Sequence, residues 1–94
     1  MKSKISLGQV VYSKSGRDAG EAFVVVAESG EQICYADGDL RRVENAKKKN
    51  RKHIIETEFV DQTIMEKLQI GEKVSNAEIR KALSNYECDG TEEV

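Results

Sequence analysis

The chain has 94 residues and a mass of 10.5 kDa, which suits one small domain and is too short for a catalytic cleft between two lobes. Its net charge of −2 conceals an asymmetry, because residues 1–53 hold 11 Lys/Arg against 7 Asp/Glu and residues 54–94 hold 4 against 10. We expect a cytoplasmic protein, since no apolar run could span a membrane, the basic start leads into no signal-peptide core, and two distant cysteines indicate reduced thiols.

The first half of the chain predicts short β-strands separated by turns. Residues that are β-branched or aromatic favour strands at 8–14, 23–27 and 32–36, and two further short strands are expected at 40–43 and 53–56. Glycine and aspartate mark the connecting turns. Because residues 23–27 are apolar on both faces, the five strands predict a small closed barrel rather than a one-sided sheet.

Two amphipathic helices are predicted after residue 58. Apolar residues four apart give a helix over 59–70, and Gly71 follows where a helix C-cap is expected. Ser75 and Glu78 fit a capping box for a second helix over 76–87. The apolar stripes are expected to bury against each other and against the barrel or a second copy of the chain. The predicted domains are a barrel at 1–57, a helical hairpin at 58–87 and a flexible tail at 88–94.

Residues that carry catalytic or metal chemistry are sparse. The only histidine, His53, stands in a run of Lys and Arg, and no nucleophile context accompanies it. Cys34 and Cys88 with His53 make three candidate metal ligands without a C-x-x-C spacing. Asp37 and Asp39 beside a glycine are typical of an Asx turn. The sequence therefore predicts a protein that is not an enzyme and has no cofactor or metal.

A basic segment at residues 41–53 carries the strongest functional signal, because seven of its thirteen residues are Lys or Arg. Clustered cations repel one another unless an anion is close, and a polyphosphate backbone is the common anion. The candidate RNA contacts in this segment are Arg41, Arg42, Lys47, Lys48, Lys49, Asn50, Arg51, Lys52 and His53. A solvated segment that pairs with the acidic tail is one alternative, and an anionic membrane surface is another, although no apolar helix accompanies the run.

The glycine-bounded turn at residues 14–20 is expected to enlarge this surface. Lys14 and Arg17 would project from one end of the barrel, and glycine lets a ligand approach the backbone closely. A plain hairpin turn is the alternative. Tyr12 and Tyr35 could stack on bases, although tyrosines on alternating strands more often lie in the core or at its rim.

Four stretches of the chain resemble one known family. They are Gly8 to Gly20 (Gly-Gln-Val-Val-Tyr-Ser-Lys-Ser-Gly-Arg-Asp-Ala-Gly), Ala36 to Val43, Lys47 to His53 and Ser75 to Leu83. The first resembles a KOW motif, and together they are similar to bacterial KOW-domain RNA-binding proteins. Those proteins are in turn similar to KOW large-subunit ribosomal proteins of archaea and eukaryotes.

The resemblance implies an SH3-like barrel that binds RNA, often ribosomal RNA, in the cytoplasmic translation apparatus. It assigns RNA contacts to Lys14, Arg17, Arg41, Arg42 and the run 47–53, with Gly16 and Gly20 as loop glycines and Asp18 as the brace of the loop. The ribosomal relatives carry long basic extensions, whereas this tail is acidic. A peripheral or transient association with the ribosome therefore stays open beside permanent incorporation.

RNA binding is the leading hypothesis, and a protein-interaction module that uses the barrel edge or the acidic helices is the alternative. DNA binding by the two helices is disfavoured, because the second offers only Arg80 and Lys81 and residues 54–94 carry a net charge of −6. Two roles stay open for the helices, which could form a homodimer seam or cover the basic segment as an autoinhibitory tail.

Overall fold

The structure is a computed structural model that describes residues 5–14 and 20–91, of which 88–91 are described by their backbone alone. The strands are β1 (Gln9–Ser13), β2 (Ala22–Ser29), β3 (Gln32–Ala36), β4 (Lys47–Asn50) and β5 (Ile54–Val60). Two 3₁₀ turns cover Val43–Asn45 and Arg51–His53, and the helices are α1 (Gln62–Gln69) and α2 (Asn76–Thr91). Within these residues, no helix is long and apolar enough to cross a membrane.

The five strands form one antiparallel sheet in the order β4-β3-β2-β1-β5. The predicted strands at 8–14, 23–27 and 32–36 are confirmed as β1, β2 and β3. The predicted strand at 53–56 is confirmed as β5, which begins at Ile54 and continues to Val60. The predicted combination of a β-rich first half and two following helices is therefore correct.

The predicted strand at residues 40–43 is wrong. This segment is a loop that ends in the first 3₁₀ turn, and the fourth strand instead lies inside the basic segment. The loop forms because side-chain hydrogen bonds, described below, hold its backbone in place of a strand ladder. A strand of lysines forms because Lys47 and Lys49, opposite Tyr35 and Ile33, can lay their aliphatic stems along the sheet and keep their ammonium groups at the surface.

Strand β2 takes part in two hydrophobic cores, one on each face of the sheet. The first core comprises Ile5, Val11, Phe23, Val25, Ile33, Tyr35 and Ile54. Within it the ring centroids of Phe23 and Tyr35 are 4.3 Å apart. Val24 points to the second core, so the prediction that residues 23–27 bury both faces is confirmed. A β-bulge between Val25 and Ala27 bends the strand.

Both helices pack on the second face of the sheet. This second core comprises Val10, Val24, Ile64, Val74, Ile79 and Ala82, with Leu68, Leu83 and Tyr86 packed against it. The predicted apolar stripes of the helices therefore bury against the sheet of the same chain. Because each side contributes side chains to one core, the helices and the sheet stabilise each other.

The predicted caps set the loop between the helices. Ser75 and Glu78 form the capping box, since the Glu78 amide donates to Ser75 Oγ (3.2 Å) and the Ser75 amide donates to Glu78 Oε1 (3.1 Å). Gly71 follows α1 with a φ of +83°, as expected of a C-cap glycine. Helix α2 continues beyond its predicted end at residue 87 to Thr91.

The start of α1 lies three residues later than predicted, at Gln62 rather than residue 59. Val60 still pairs with Gln9 of β1, so the sheet keeps this residue extended. Asp61 then caps the helix, because its carboxylate accepts the amide of Ile64 (3.0 Å).

Candidate nucleic-acid interface

The described residues on either side of positions 15–19 contact each other and the second 3₁₀ turn. Residues 15–19, which include the predicted site residues Gly16, Arg17 and Asp18, lie outside the described part of the chain. At the base of this β1–β2 loop, the amide of Gly20 donates to the Ser13 carbonyl (3.1 Å), and the amide of Lys14 donates to the His53 carbonyl (2.9 Å). The base of the loop is therefore tied to the basic segment.

The residues of the second 3₁₀ turn and its N-cap have two roles, because some hold the fold together and others are exposed to solvent. Arg51 donates from Nη2 to Glu28 Oε1 (2.9 Å) and from Nε to the Gly30 carbonyl (3.0 Å), so it ties the turn to the β2–β3 hairpin. Asn50 accepts the amide of Lys52 (3.0 Å) and caps the turn. Lys52 and the adjoining His53 are exposed. Of these predicted contacts, Arg51 and Asn50 serve the fold, whereas the other two face solvent.

The three lysines of β4 do not share one face. Lys48 is exposed on the face that carries Cys34, whereas Lys47 and Lys49 lie on the face of the first core. Lys49 reaches across that face, and its Nζ lies 3.2 Å from the Oγ of Ser13 at the end of β1. The ammonium group of Lys49 is thereby brought to the base of the 15–19 loop.

These contacts gather four predicted site residues into one surface. We call it the cationic end, and it consists of Lys14, Lys49, Lys52 and His53. Lys14 and His53 are joined by a backbone hydrogen bond, and Lys49 contacts the residue before Lys14. Clustered lysine ammonium groups repel one another, so the cationic end favours an anionic partner.

Arg41 and Arg42 belong to a second loop, which connects β3 to β4. Asp37 braces this loop as an Asx turn, because its Oδ1 accepts the amides of Asp39 and Arg41, each at 2.8 Å. The Arg41 carbonyl in turn accepts the amides of Asp37 (2.9 Å) and Gly38 (3.0 Å). The Asx turn predicted at residues 37–39 is confirmed. Arg42 is exposed at the end of this braced turn.

Helix α2 holds the same loop from outside. Asn76 accepts the Val43 amide at Oδ1 (2.7 Å), and its Nδ2 donates to Glu44 Oε1 (3.0 Å). That hydrogen bond is the main cause that lowers the pKa of Glu44 below its ordinary value. Arg80 donates from Nη1 to the Gly38 carbonyl (2.6 Å). We call the segment from residue 37 to 45 the clamped loop.

Sequence reasoning missed this role of Asn76 and Arg80. Nothing in their local pattern reveals it, since their partners lie 32 to 42 residues earlier in the chain. The only signal was the polar helix start that places Asn76 directly after the capping serine. Long-range hydrogen bonds of this kind appear only once the sheet and α2 have been packed together.

The two tyrosines considered for base stacking have other partners. Tyr35 is fully buried in the first core. The hydroxyl of Tyr12 lies 3.0 Å from that of Tyr86, and the two rings meet edge to face. This hydrogen bond, with burial, raises the pKa of Tyr86 to about 12. Tyr12 therefore joins β1 to α2.

The carboxylate of Glu78 makes its contacts within the helical part of the chain. Glu78 pairs with Lys67 across the loop between α1 and α2, in addition to its part in the capping box. This contact lowers the pKa of Glu78 and raises that of Lys67. Glu78 therefore pairs with Lys67 of α1. Arg51 of the basic segment pairs instead with Glu28 of β2.

An open groove of about 960 Å³ lies between the helices and the sheet. Its floor is apolar and its rim is charged, and the lining includes Val26, Cys34, Val43, Leu68 and Val74. Cys34 is a free thiol. The residues of the cationic end lie outside this lining, so the groove and the cationic end are separate features.

Among the residues whose side chains are described, no three His, Cys, Asp or Glu lie close enough to hold a metal ion. No model of a known protein family matches the chain, and no curated protein matches it. The function is therefore inferred from the residues and their arrangement.

Proposed function

We propose that the protein binds RNA through the cationic end and the loop at residues 15–19, as a KOW-type protein associated with translation in the cytoplasm. One observation carries the proposal, which is the gathering of Lys14, Lys49, Lys52 and His53 at the base of that loop. Chain segments some 35 residues apart supply these cations. A surface assembled in this way fits an extended anion better than a single small one.

A ribose–phosphate backbone is the extended anion that suits this surface. Each Lys that meets a phosphate releases a condensed counterion, and this gain in entropy drives binding. Flexible lysines position a backbone without selecting bases, so these contacts orient the protein on a structured RNA such as ribosomal RNA.

The sheet supports the further proposal of an SH3-like barrel. The strand order puts β4 and β5 at opposite edges, yet only the second 3₁₀ turn connects them in the chain. Lys49 of β4 contacts Ser13 of β1, which neighbours β5. A strongly curled sheet would explain both observations, and it would account for the contacts of the basic segment with Ser13 and Lys14.

A pair of charge-matched variants tests RNA binding. Lys14→Gln with Lys52→Gln removes two charges from the cationic end, and Lys73→Gln with Lys81→Gln removes two exposed charges from the helix side. Because each lost phosphate contact reduces the slope of log K against log[salt] by roughly 0.7–0.9, the first pair should flatten the slope by about 1.5. Affinity for a structured RNA should fall with it.

The second pair is the control, because it changes the net charge equally. Its slope should stay close to that of the wild type. Equal effects of the two pairs would mean that RNA binding depends only on the net charge of the protein. An unchanged salt slope in the first pair would show that the cationic end does not contact RNA.

A further inference from the structure

The tip of the clamped loop exposes an apolar side chain beside two arginines. Leu40 is 83% exposed, which makes it the most exposed large hydrophobic residue among those described. Arg41 and Arg42 follow it directly, and Asp39 precedes it and is also exposed. An apolar contact point thus stands between a carboxylate and two cations.

This tip is rigidly supported. Asp37 and the Arg41 carbonyl close the turn from within through four hydrogen bonds. Arg80 and Asn76 of α2 hold it from outside. A binding element that is already ordered loses less conformational entropy on binding. The support explains how a leucine can be kept in solvent when a looser loop would fold it against the groove or the sheet.

We infer that the clamped loop is a second RNA-contacting element, in which Leu40 packs against an unpaired nucleobase and Arg42 meets a neighbouring phosphate. This inference rests on the proposed RNA binding and adds a site of base contact to it. An unpaired base offers a flat apolar face, whereas a base in a duplex has its faces covered by its neighbours.

The carboxylate of Asp39 favours a base over a phosphate at the tip. It would repel a phosphate placed against Leu40, but it can accept a hydrogen bond from the amino group of a base. Arg42, which is exposed and stands two residues after Leu40 in the chain, suits the phosphate that accompanies the same nucleotide.

Leu40→Ala tests the inference, and Ile70→Ala is its matched control. Ile70 is another exposed aliphatic residue, 71% accessible, but it is the C-cap residue of α1 and has no neighbouring arginine. Neither change removes a core side chain, so both variants should fold. The probes are a short RNA hairpin with an unpaired loop of mixed sequence and a blunt RNA duplex with the same number of phosphates.

The expected result is a loss of binding affinity in one variant, Leu40→Ala, for one probe, the RNA hairpin. Leu40→Ala should bind the hairpin roughly fivefold more weakly, because the apolar contact between the leucine and the base is lost. Its binding to the duplex should be unchanged, as should its salt slope, because no phosphate contact is lost. Ile70→Ala should match the wild type on both probes.

Three outcomes would overturn the inference in distinguishable ways. If the wild type binds RNA and Leu40→Ala matches it on both probes, the base contact is refuted and the proposed function stands. An equal loss on hairpin and duplex would also refute the unpaired base. If the wild type binds neither RNA, the proposed function fails and this inference fails with it, which would leave Leu40 to a protein partner.

Discussion

Tyr12 and Tyr86 form a contact between residues 74 positions apart in the chain. One comes from β1 and the other from α2, and Phe59 packs its ring against Tyr86 at a centroid distance of 5.6 Å. The shared hydrogen bond and the partial burial favour the neutral phenol. They are the reasons that the pKa of Tyr86 rises from its ordinary value of 10.0 to about 12.

This contact makes stability depend on alkaline pH. A group whose pKa is higher in the folded state contributes its full stabilisation below the unfolded pKa, and loses it as the pH rises through the folded pKa. The wild type should therefore lose this contribution between pH 10 and 12. Tyr12→Phe removes the main cause, so it should lower the pKa of Tyr86 towards 10, as measured by an NMR titration of the Tyr86 ring.

The wild-type titration is the reference for that variant, and the urea midpoint should show the matching change. It should fall less steeply between pH 10 and 12 in Tyr12→Phe than in the wild type. A Tyr86 pKa that stays at the wild-type value in Tyr12→Phe would mean that burial alone holds the phenol neutral.

Helix α2 packs closely against the clamped loop at Gly38. A Cβ built on this glycine would stand 2.4 Å from the Asn76 carbonyl oxygen, and its φ of +79° is in the left-handed region. Only glycine satisfies both constraints at low cost. The close packing of α2 on the clamped loop therefore requires glycine at position 38.

Gly38→Ala should destabilise the protein by about 2–5 kcal/mol, since the strain of positive φ and the forced separation of α2 from the loop add together. Gly30→Ala is the matched control, because Gly30 also has a positive φ, +61°, but open space around its Cβ. The control should lose only about 1–2 kcal/mol. Urea unfolding measures both, and equal losses would show that α2 does not press on the loop.

The elements that could be predicted are those with local determinants. Ser75 and Glu78 reveal their capping box within four residues, and the continuous apolar run at residues 23–27 indicates burial on both faces. The fourth strand was misplaced because Leu-Arg-Arg-Val, which has an apolar residue at each end, favours a strand more than three lysines do. A local bond from the Arg41 amide to Asp37 and a long-range bond from the Val43 amide to Asn76 hold the loop, and pairing with β3 makes the lysines a strand.

The sequence shows which residues of the candidate site are basic, but it does not show how they are arranged in space. The basic segment is visible in the sequence, yet its lysines alternate between two faces of β4, and Arg51 is used to hold a hairpin. Leu40 drew no attention as a surface residue because it was assigned to a strand. The contact of Lys49 with Ser13, the residue before Lys14, joins β4 to β1, and local sequence does not specify such a contact.

At the scale of the whole molecule, the helices lie on one face of the sheet, whereas Lys49 of the cationic end lies on the other face. The acidic helices pack on the second core, where Ile64 and Ile79 are fully buried, and Lys67 and Glu78 pair with each other there. Removing residues 58–94 would expose that core, so a truncated chain is no test of autoinhibition. Point changes in the full chain preserve the fold and are the better tool.

The central claim is that RNA lies on the cationic end and on the clamped loop. Amide chemical shifts of the full chain, followed by NMR during titration with a structured RNA, test it most directly. The account predicts shifts at Lys14, in residues 37–45 and in residues 48–53, with α1 unmoved. Shifts confined to the α1–α2 groove, or no shifts at low salt, would contradict it.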